Sequence, residues 1–142
     1  MEKSLPIKTA VGLLHGRDCL YFDTLLQDDL DNMIFRGTIN GALVDHPDKS
    51  LEWLPYQLSF RSVLACFSCE LDTYLNLTGT DFLDGSSFDL IKDSKWLRTL
   101  PVRNDYDKND YRHYRLLTYD VVYNIIAAAY ELEIAGIVAA ID

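Results

Sequence analysis

The sequence has few cysteines and no long uncharged apolar stretch, so it lacks the features of a disulfide-stabilised or membrane-spanning protein. It contains three cysteines, Cys19, Cys66 and Cys69, and such a small, odd number argues against a disulfide framework. No basic start leads into a long apolar core, so we expect no signal peptide and a location in the reducing cytoplasm. The longest strongly apolar stretch, residues 125–140, carries two glutamates and is too short and too charged for a membrane span.

Basic residues are also scarce. Lys and Arg number 13 against 22 Asp and Glu, which gives a formal net charge of −9. Residues 28–89 hold eleven of the acidic residues and three basic ones, so nearly all of the excess lies in the middle of the chain. The electrostatic field of this negative charge repels nucleic acid and anionic lipid and attracts basic partners. We therefore expect neither a nucleic acid nor a membrane as partner.

Motifs that carry catalysis are missing as well. There is no nucleophile elbow, phosphate-binding loop or dinucleotide fingerprint. Cys66 and Cys69 form a C-x-x-C spacing, but it has no second pair to complete a zinc site. His15, His46 and His113 lack a spaced histidine or cysteine companion. We expect no metal, no cofactor and no enzyme.

What is present is typical of one folded domain. The chain has 142 residues, 49% of them apolar, which is enough to bury a core without disulfides or metals. No repeat or long linker divides it, so the prediction is a single domain over residues 1–142. The predicted fold is mainly α, a bundle of about five helices with long loops.

The clearest predicted helix covers residues 60–76, where apolar residues recur at steps of three and four. Pro55, shortly before this stripe, suits a first helical turn, and Gly79 suits the end of the helix. The stripe that defines it consists of Phe60, Val63, Leu64, Phe67, Leu71, Tyr74 and Leu75.

A second helix is predicted over residues 22–44. Its apolar stripe includes Gly37 and Gly41, each of which weakens a helix by about 1 kcal/mol relative to alanine. The competing interpretation is a hairpin within residues 33–44, with Asn40 and Gly41 in its turn.

The remaining helices are predicted from their capping residues. Ser86 and Ser87 suit the start of a short helix that runs to Leu100, and Thr118 suits the start of a final helix. Between them, residues 111–117 are predicted to be a short extended segment. The buried face of the final helix would consist of Val122, Ile125, Ile126, Ala129 and Leu132.

Clustered carboxylates are the first candidate binding feature. The predicted acidic surface consists of Asp28, Asp29, Asp31, Glu70 and Asp72. Such clusters are usually solvated faces that keep a protein soluble. When they match a basic partner, they speed its encounter and favour the right orientation.

A second candidate is a segment rich in tyrosine and arginine. Five tyrosines lie within residues 106–123, among Arg103, Arg112 and Arg115. Tyr and Arg dominate many protein interfaces because they combine contact area with polar anchoring. We predict Tyr111, Arg112 and Tyr114 as partner-binding anchors, although some of these tyrosines must belong to the core.

Two segments carry a resemblance. Residues 87–97 (SFDLIKDSKWL) and 113–122 (HYRLLTYDVV) resemble chains of the immunity proteins of bacterial toxin–immunity systems, including contact-dependent growth inhibition systems. The resemblance implies a tight inhibitor of a cognate protein toxin, often a basic nuclease, which it blocks by complex formation. It carries no diagnostic motif and assigns no residue a role.

Two alternatives stay open. One is an adaptor or homo-oligomeric subunit that assembles through the last predicted helix, residues 121–140. The other is a small enzyme that uses Cys66, Cys69 or His113.

Overall fold

Two antiparallel β-sheets make up most of the regular structure, so the predicted mainly α bundle is wrong. The computed structural model of the chain describes residues 1–28, 31–45, 53–79 and 85–135. Sheet I has the strand order β2-β3-β4-β9 and sheet II the order β1-β6-β7-β8-β5.

Sheet I shows the alternation of a sheet with one buried face. Its strands are β2 (Leu20–Gln27), β3 (Met33–Asn40), β4 (Trp53–Arg61) and β9 (Ala129–Ile134). Successive side chains of a strand point to opposite faces, so every second residue of β3 and β4 is buried. These buried residues are Met33, Phe35, Gly37, Ile39, Leu54, Tyr56, Leu58 and Phe60.

Sheet II is covered on both faces near its middle. Its strands are β1 (Lys3–Pro6), β5 (Ala65–Glu70), β6 (Phe88–Lys92), β7 (Arg112–Leu117) and β8 (Val121–Ala127). Residues 122–127 of β8 are all buried because sheet I covers one face and a helix packs on the other. Strand β7 confirms the extended segment predicted for residues 111–117.

A bent ribbon joins the two sheets. The chain passes from β4 to β5 through Ser62, whose φ is +54°, and from β8 to β9 through Ala128. Pairing continues around the corner, since the Leu64 amide donates to the Ile126 carbonyl at 2.8 Å and the Ala128 amide to the Arg61 carbonyl at 2.9 Å. The two sheets therefore fold over a shared core.

Aromatic rings fill the space between the sheets. Phe35 and Phe60 of sheet I lie edge to face, with ring centroids 5.9 Å apart. Phe35 also meets Tyr123 of sheet II at 5.0 Å, and Phe60 meets Tyr114 at 5.4 Å. Edge-to-face pairs add to the stabilisation that burial of the rings already provides.

In the part of the chain that the structure describes, two short helices lie outside the sheets. Helix α1 (Leu71–Thr78) begins at the capping residue Glu70, ends at Gly79 with φ +66°, and packs Leu71 and Tyr74 on Leu117 and Val122. Helix α2 (Lys95–Thr99) is capped by Ser94. Two 3-10 turns cover Gly41–Leu43 and Lys108–Asp110. Within the described residues, no helix is long and apolar enough to cross a membrane.

The helix predicted for residues 60–76 divides into three elements. It covers the end of β4, the strand β5 and most of α1. Phe67, which the prediction placed on a buried stripe, is 43% exposed on β5, at the edge of sheet II. The spacing of three and four reflects a helical face only at Leu71, Tyr74 and Leu75 of α1. Across β4 and β5 it does not correspond to a helix.

The helix predicted for residues 22–44 is the antiparallel pair β2–β3 followed by a 3-10 turn. The hairpin alternative within residues 33–44 is also wrong, because residues 33–40 form a single strand that pairs with β2. Asn40 instead begins the 3-10 turn, where its side chain accepts the Ala42 amide. Gly37 is needed for close approach of the strands, because a Cβ there would lie 2.0 Å from the Tyr21 carbonyl oxygen.

The last two predicted helices are also wrong. Ser86 and Ser87 precede strand β6, and the short helix starts later, at Ser94. Thr118 closes the turn between β7 and β8, where its hydroxyl donates to the Val121 carbonyl at 2.6 Å. Both faces of β8 are buried, so its apolar run lacks the alternation that identifies a strand.

Candidate protein-binding surface

Three aromatic side chains form a continuous row on the surface. Tyr21 meets Trp53 edge to face, with ring centroids 5.6 Å apart, and stacks on Tyr119 at 5.3 Å with an interplanar angle of 21°. The Arg17 guanidinium lies 5.0 Å from the centre of the Tyr119 ring. Trp53 is 53% exposed and Tyr119 42% exposed. We call Arg17, Tyr21, Trp53 and Tyr119 the aromatic row.

Strand pairing fixes the row in place. Tyr21 lies opposite Thr38 of β3, and Thr38 lies opposite Pro55 of β4. Trp53, two residues before Pro55, therefore points to the same outer face of sheet I as Tyr21. The Tyr119 amide donates to the Leu20 carbonyl at 3.0 Å, which ties the β7–β8 turn to the start of β2. The row is thus carried by hydrogen-bonded backbone from both sheets.

Carboxylates surround one end of the row. Asp18 lies 4.0 Å from Arg17, and Asp120 follows Tyr119 directly and accepts the Leu71 amide through its backbone carbonyl at 2.8 Å. Glu70 and Asp72 lie at the start of the α1 helix on the same side, and all four acidic residues are exposed. We call Asp18, Glu70, Asp72 and Asp120 the acidic flank.

Hydrogen bonding keeps Glu70 ionised. Its carboxylate accepts the amides of Asp72 at 2.8 Å and Thr73 at 3.0 Å. These bonds, led by that from Asp72, lower the pKa of Glu70, and the charge of Arg17 lowers it further. Desolvation, followed by the negative charge of Asp18, raises the pKa of Tyr21, so its hydroxyl remains a neutral donor at pH 7.

The predicted acidic surface is divided by the fold. Glu70 and Asp72 belong to the acidic flank, whereas Asp28 and Asp31 lie at the far end of β2, roughly 25 Å along the strand. Asp29 lies outside the described residues. The Asp28 carboxylate accepts the backbone and side-chain N–H groups of Asn32 at 3.1 and 3.0 Å, which links the residue after β2 to the residue before β3.

The three predicted anchors are separated as well. Tyr114 is 5% exposed and its ring packs in the core against Phe60, so it offers no surface to a partner. Tyr111 and Arg112 line a cleft beside α2, at the start of β7 and away from the aromatic row. The sequence prediction missed Tyr21 and Trp53. The alternation of residues 53–60 is the signal that identifies the outer face of β4.

A buried polar chain includes the histidine of the enzyme hypothesis. Ser94 Oγ lies 2.7 Å from His113 Nδ1, His113 Nε2 lies 2.8 Å from Asn124 Oδ1, and the Asn124 amide donates to the Tyr74 hydroxyl at 3.2 Å. Burial lowers the pKa of His113. Ser94 is 3% exposed and also accepts the Leu97 amide, so its hydroxyl serves as a helix cap.

The C-x-x-C cysteines do not meet. Cys66 and Cys69 lie on β5, not within a helix, and three residues along a strand place side chains on opposite faces. Cys69 packs with α1 on the outer face, whereas Cys66 is exposed and lies on the face of sheet II that carries Ile125 and Tyr123. Across the described ranges, no three His, Cys, Asp or Glu residues are grouped as a metal site would need. His46 lies outside them.

The surface suggested for self-assembly is internal along β8 but partly exposed along β9, which is an edge strand of sheet I. Residues 122–127 are buried in the chain's own core, and residues 136–140 lie outside the described part. No protein-family model, curated protein or solved structure matches the chain. The aromatic row and the acidic flank are therefore the basis on which a function can be assigned.

Proposed function

We propose that this chain is a non-catalytic binding protein of the immunity type, which neutralises a basic protein toxin by forming a tight complex through the aromatic row. The observation that carries the proposal is the row itself, three surface rings and an arginine in mutual contact beside a group of carboxylates. The proposal places the chain in the cytoplasm and needs no cofactor.

The composition of the row supports binding to a protein. Trp, Tyr and Arg are the residues that most often contribute large binding energies at protein interfaces. Trp53 and Tyr119 leave about half of their side chains in water, where large apolar groups gain little for folding. Since Tyr21 holds both rings in place, a partner would meet a surface that loses little side-chain entropy on binding.

The acidic flank supports a basic partner. Asp18, Glu70, Asp72 and Asp120 outnumber Arg17, and the whole chain carries a net charge of −9. Carboxylates at the edge of an interface accelerate encounter with a positive surface and contribute less to the lifetime of the complex. The rings of the row would then supply most of the affinity, and the flank would supply speed and orientation.

The immunity type rests on the resemblance of residues 87–97 and 113–122 to such proteins. These residues form β6 with the start of α2, and β7 with the β7–β8 turn. The second segment includes the turn that carries Tyr119, so it contributes directly to the row. The resemblance implies a toxin that is often a basic nuclease, and the negative charge of the chain is compatible with a basic partner.

Matched variants test the proposal. Tyr119→Ala removes a ring that Arg17 covers at 5.0 Å, and Tyr106→Ala removes an exposed ring that Arg103 covers at 4.9 Å, away from the row. The tagged chain and both variants would be used to capture proteins from the native cells at low and high salt. We expect one basic protein in equal amount, less of it at high salt, and its loss with Tyr119→Ala alone.

A partner retained equally by both variants would reject the row as the binding surface. An acidic partner, or capture that strengthens with salt, would reject the role assigned to the acidic flank.

A further inference from the structure

A cleft lies at the other end of β7 from the aromatic row. It has a volume of about 540 Å³ and opens between helix α2, the 3-10 turn Lys108–Asp110, the end of β6 and the start of β7. This volume falls within the range of small-molecule sites, roughly 300–1,000 Å³. Four basic residues line it, and we call it the basic cleft. They are Lys92, Arg98, Lys108 and Arg112.

These four cations differ from Arg17, Arg103 and Arg115, each of which lies within 4.0 Å of an aspartate. Over residues 1–28, 31–45, 53–79 and 85–135, no ion pair involves any of the four cations of the cleft. Asp93 is the one acidic residue among the described residues that line it, so the cleft has a net positive charge in a chain whose total is −9.

Backbone contacts hold two of the cations in position. Lys108 Nζ donates to the Arg98 carbonyl at 2.6 Å, which fixes an ammonium group against the end of α2. One terminal nitrogen of Arg112, Nη1, donates to the carbonyls of Asn109 and Tyr111, both at 3.0 Å. The other guanidinium nitrogens, Nε and Nη2, remain able to donate to a ligand. Because these groups are already ordered, binding of an anion costs less side-chain entropy.

The rest of the lining suits an organic group. Leu90 and Leu97 contribute apolar walls, and the partly buried Tyr111 contributes an aromatic ring. A pocket with apolar walls and a few convergent polar groups is the usual form of a small-molecule site.

We propose that the basic cleft binds a small organic phosphate monoester, with the phosphate between the four cations and the organic group against Tyr111. Two guanidinium and two ammonium groups match a dianion, and guanidinium forks bind phosphate oxygens in pairs. A long polyanion fits less well, because the acidic remainder of the chain repels it.

The cleft is separate from the proposed partner surface. Arg112 begins β7 and Tyr119 follows its end, so the two sites lie roughly 20 Å apart along the strand. The two proposals can therefore fail independently. Absence of phosphate binding would not contradict binding of a protein to the aromatic row, and absence of that protein would not contradict the phosphate site.

Calorimetric titration tests the phosphate site. The full chain in phosphate-free buffer would be titrated with phenyl phosphate, inorganic phosphate and a single-stranded oligonucleotide. We expect one phenyl phosphate per chain, bound more tightly than inorganic phosphate and more weakly at high salt. Arg112→Gln and Arg98→Gln should each weaken it about tenfold or more, since each removes a charge-assisted contact.

Arg103→Gln is the matched control, because Arg103 is an exposed arginine that is already paired with Asp105 at 2.9 Å. It should leave the affinity unchanged. Circular dichroism would establish that each variant is folded, and Arg98→Gln covers the case in which Arg112→Gln is not. No binding of phenyl phosphate, equal loss with Arg103→Gln, or tighter binding of the oligonucleotide would overturn the proposal.

Discussion

Replacing Gly37 with alanine should change the stability of the protein in opposite directions for a helical and for a β-sheet structure of residues 22–44. If the segment were helical, Gly37→Ala would stabilise the protein by about 1 kcal/mol. In the β-sheet, an added Cβ would lie 2.0 Å from the Tyr21 carbonyl oxygen and 2.6 Å from the Phe22 Cα. Both are backbone atoms of β2, next to a β-bulge, so the strands themselves would have to separate.

The expected cost is large. Forcing extra atoms into a packed site typically costs about 1–3 kcal/mol, and contact with backbone places this site at the upper end or beyond. A loss of about 3 kcal/mol lowers the midpoint of thermal unfolding by roughly 10 °C in a chain of this size. Urea unfolding followed by circular dichroism measures the loss directly.

Gly79→Ala is a control that introduces backbone strain without a steric clash. Gly79 has φ +66°, and a Cβ added there would meet no atom within 4 Å, so its replacement should cost only about 1 kcal/mol of backbone strain. A Gly37→Ala protein as stable as the wild type, or more stable, would refute the strand pairing described for β2 and β3.

Three further predictions concern stability. Phe35→Ala removes a ring packed between Phe60 and Tyr123 and should cost about 3–5 kcal/mol by urea unfolding; a cost below about 1 kcal/mol would contradict the shared core. Burial lowers the pKa of His113, so the unfolded state takes up a proton first as pH falls below about 6.5. Stability should therefore decline as pH falls through about 6.5, the usual pKa of histidine, and His113→Gln should reduce that slope; an unchanged slope would contradict a buried neutral ring. The pKa of Glu70 is lowered by the amides that it caps, so its contribution is present above about pH 4.5 and lost on further acidification. Glu70→Gln should thus weaken the protein more at pH 6 than at pH 3. An equal loss of stability at the two pH values would show that the charge of Glu70 does not stabilise the fold.

The fold can be predicted only in part because burial patterns, rather than local propensity, decide it. The position of β7 between two turn-forming segments is enough to predict an extended segment there. Strand β8 escapes prediction because both of its faces are buried, which leaves a continuous apolar run that a helix also permits. In the sequence, Gly37 is read as a residue that weakens a helix. In the structure, Gly37 allows β2 to approach β3 closely, and this role depends on a neighbouring strand that the local sequence does not reveal.

The candidate surface is harder to predict than the fold. Glu70 and Asp72 can be identified from charge alone, which requires no tertiary structure. The aromatic row combines Tyr21, Trp53 and Tyr119, which lie far apart in the sequence and meet only because β2, β4 and the β7–β8 turn adjoin. Tyr114 has the residue type of an interface anchor, but its burial depends on its place within β7.

We expect a partner protein to contact the aromatic row directly. The most direct test places a photo-crosslinking phenylalanine analogue at position 53 or, as control, at position 106, in the cells that naturally make the chain. Irradiation should link position 53 to one basic protein and leave position 106 without that product. The same product from position 106 alone, or equally from both positions, would contradict the account.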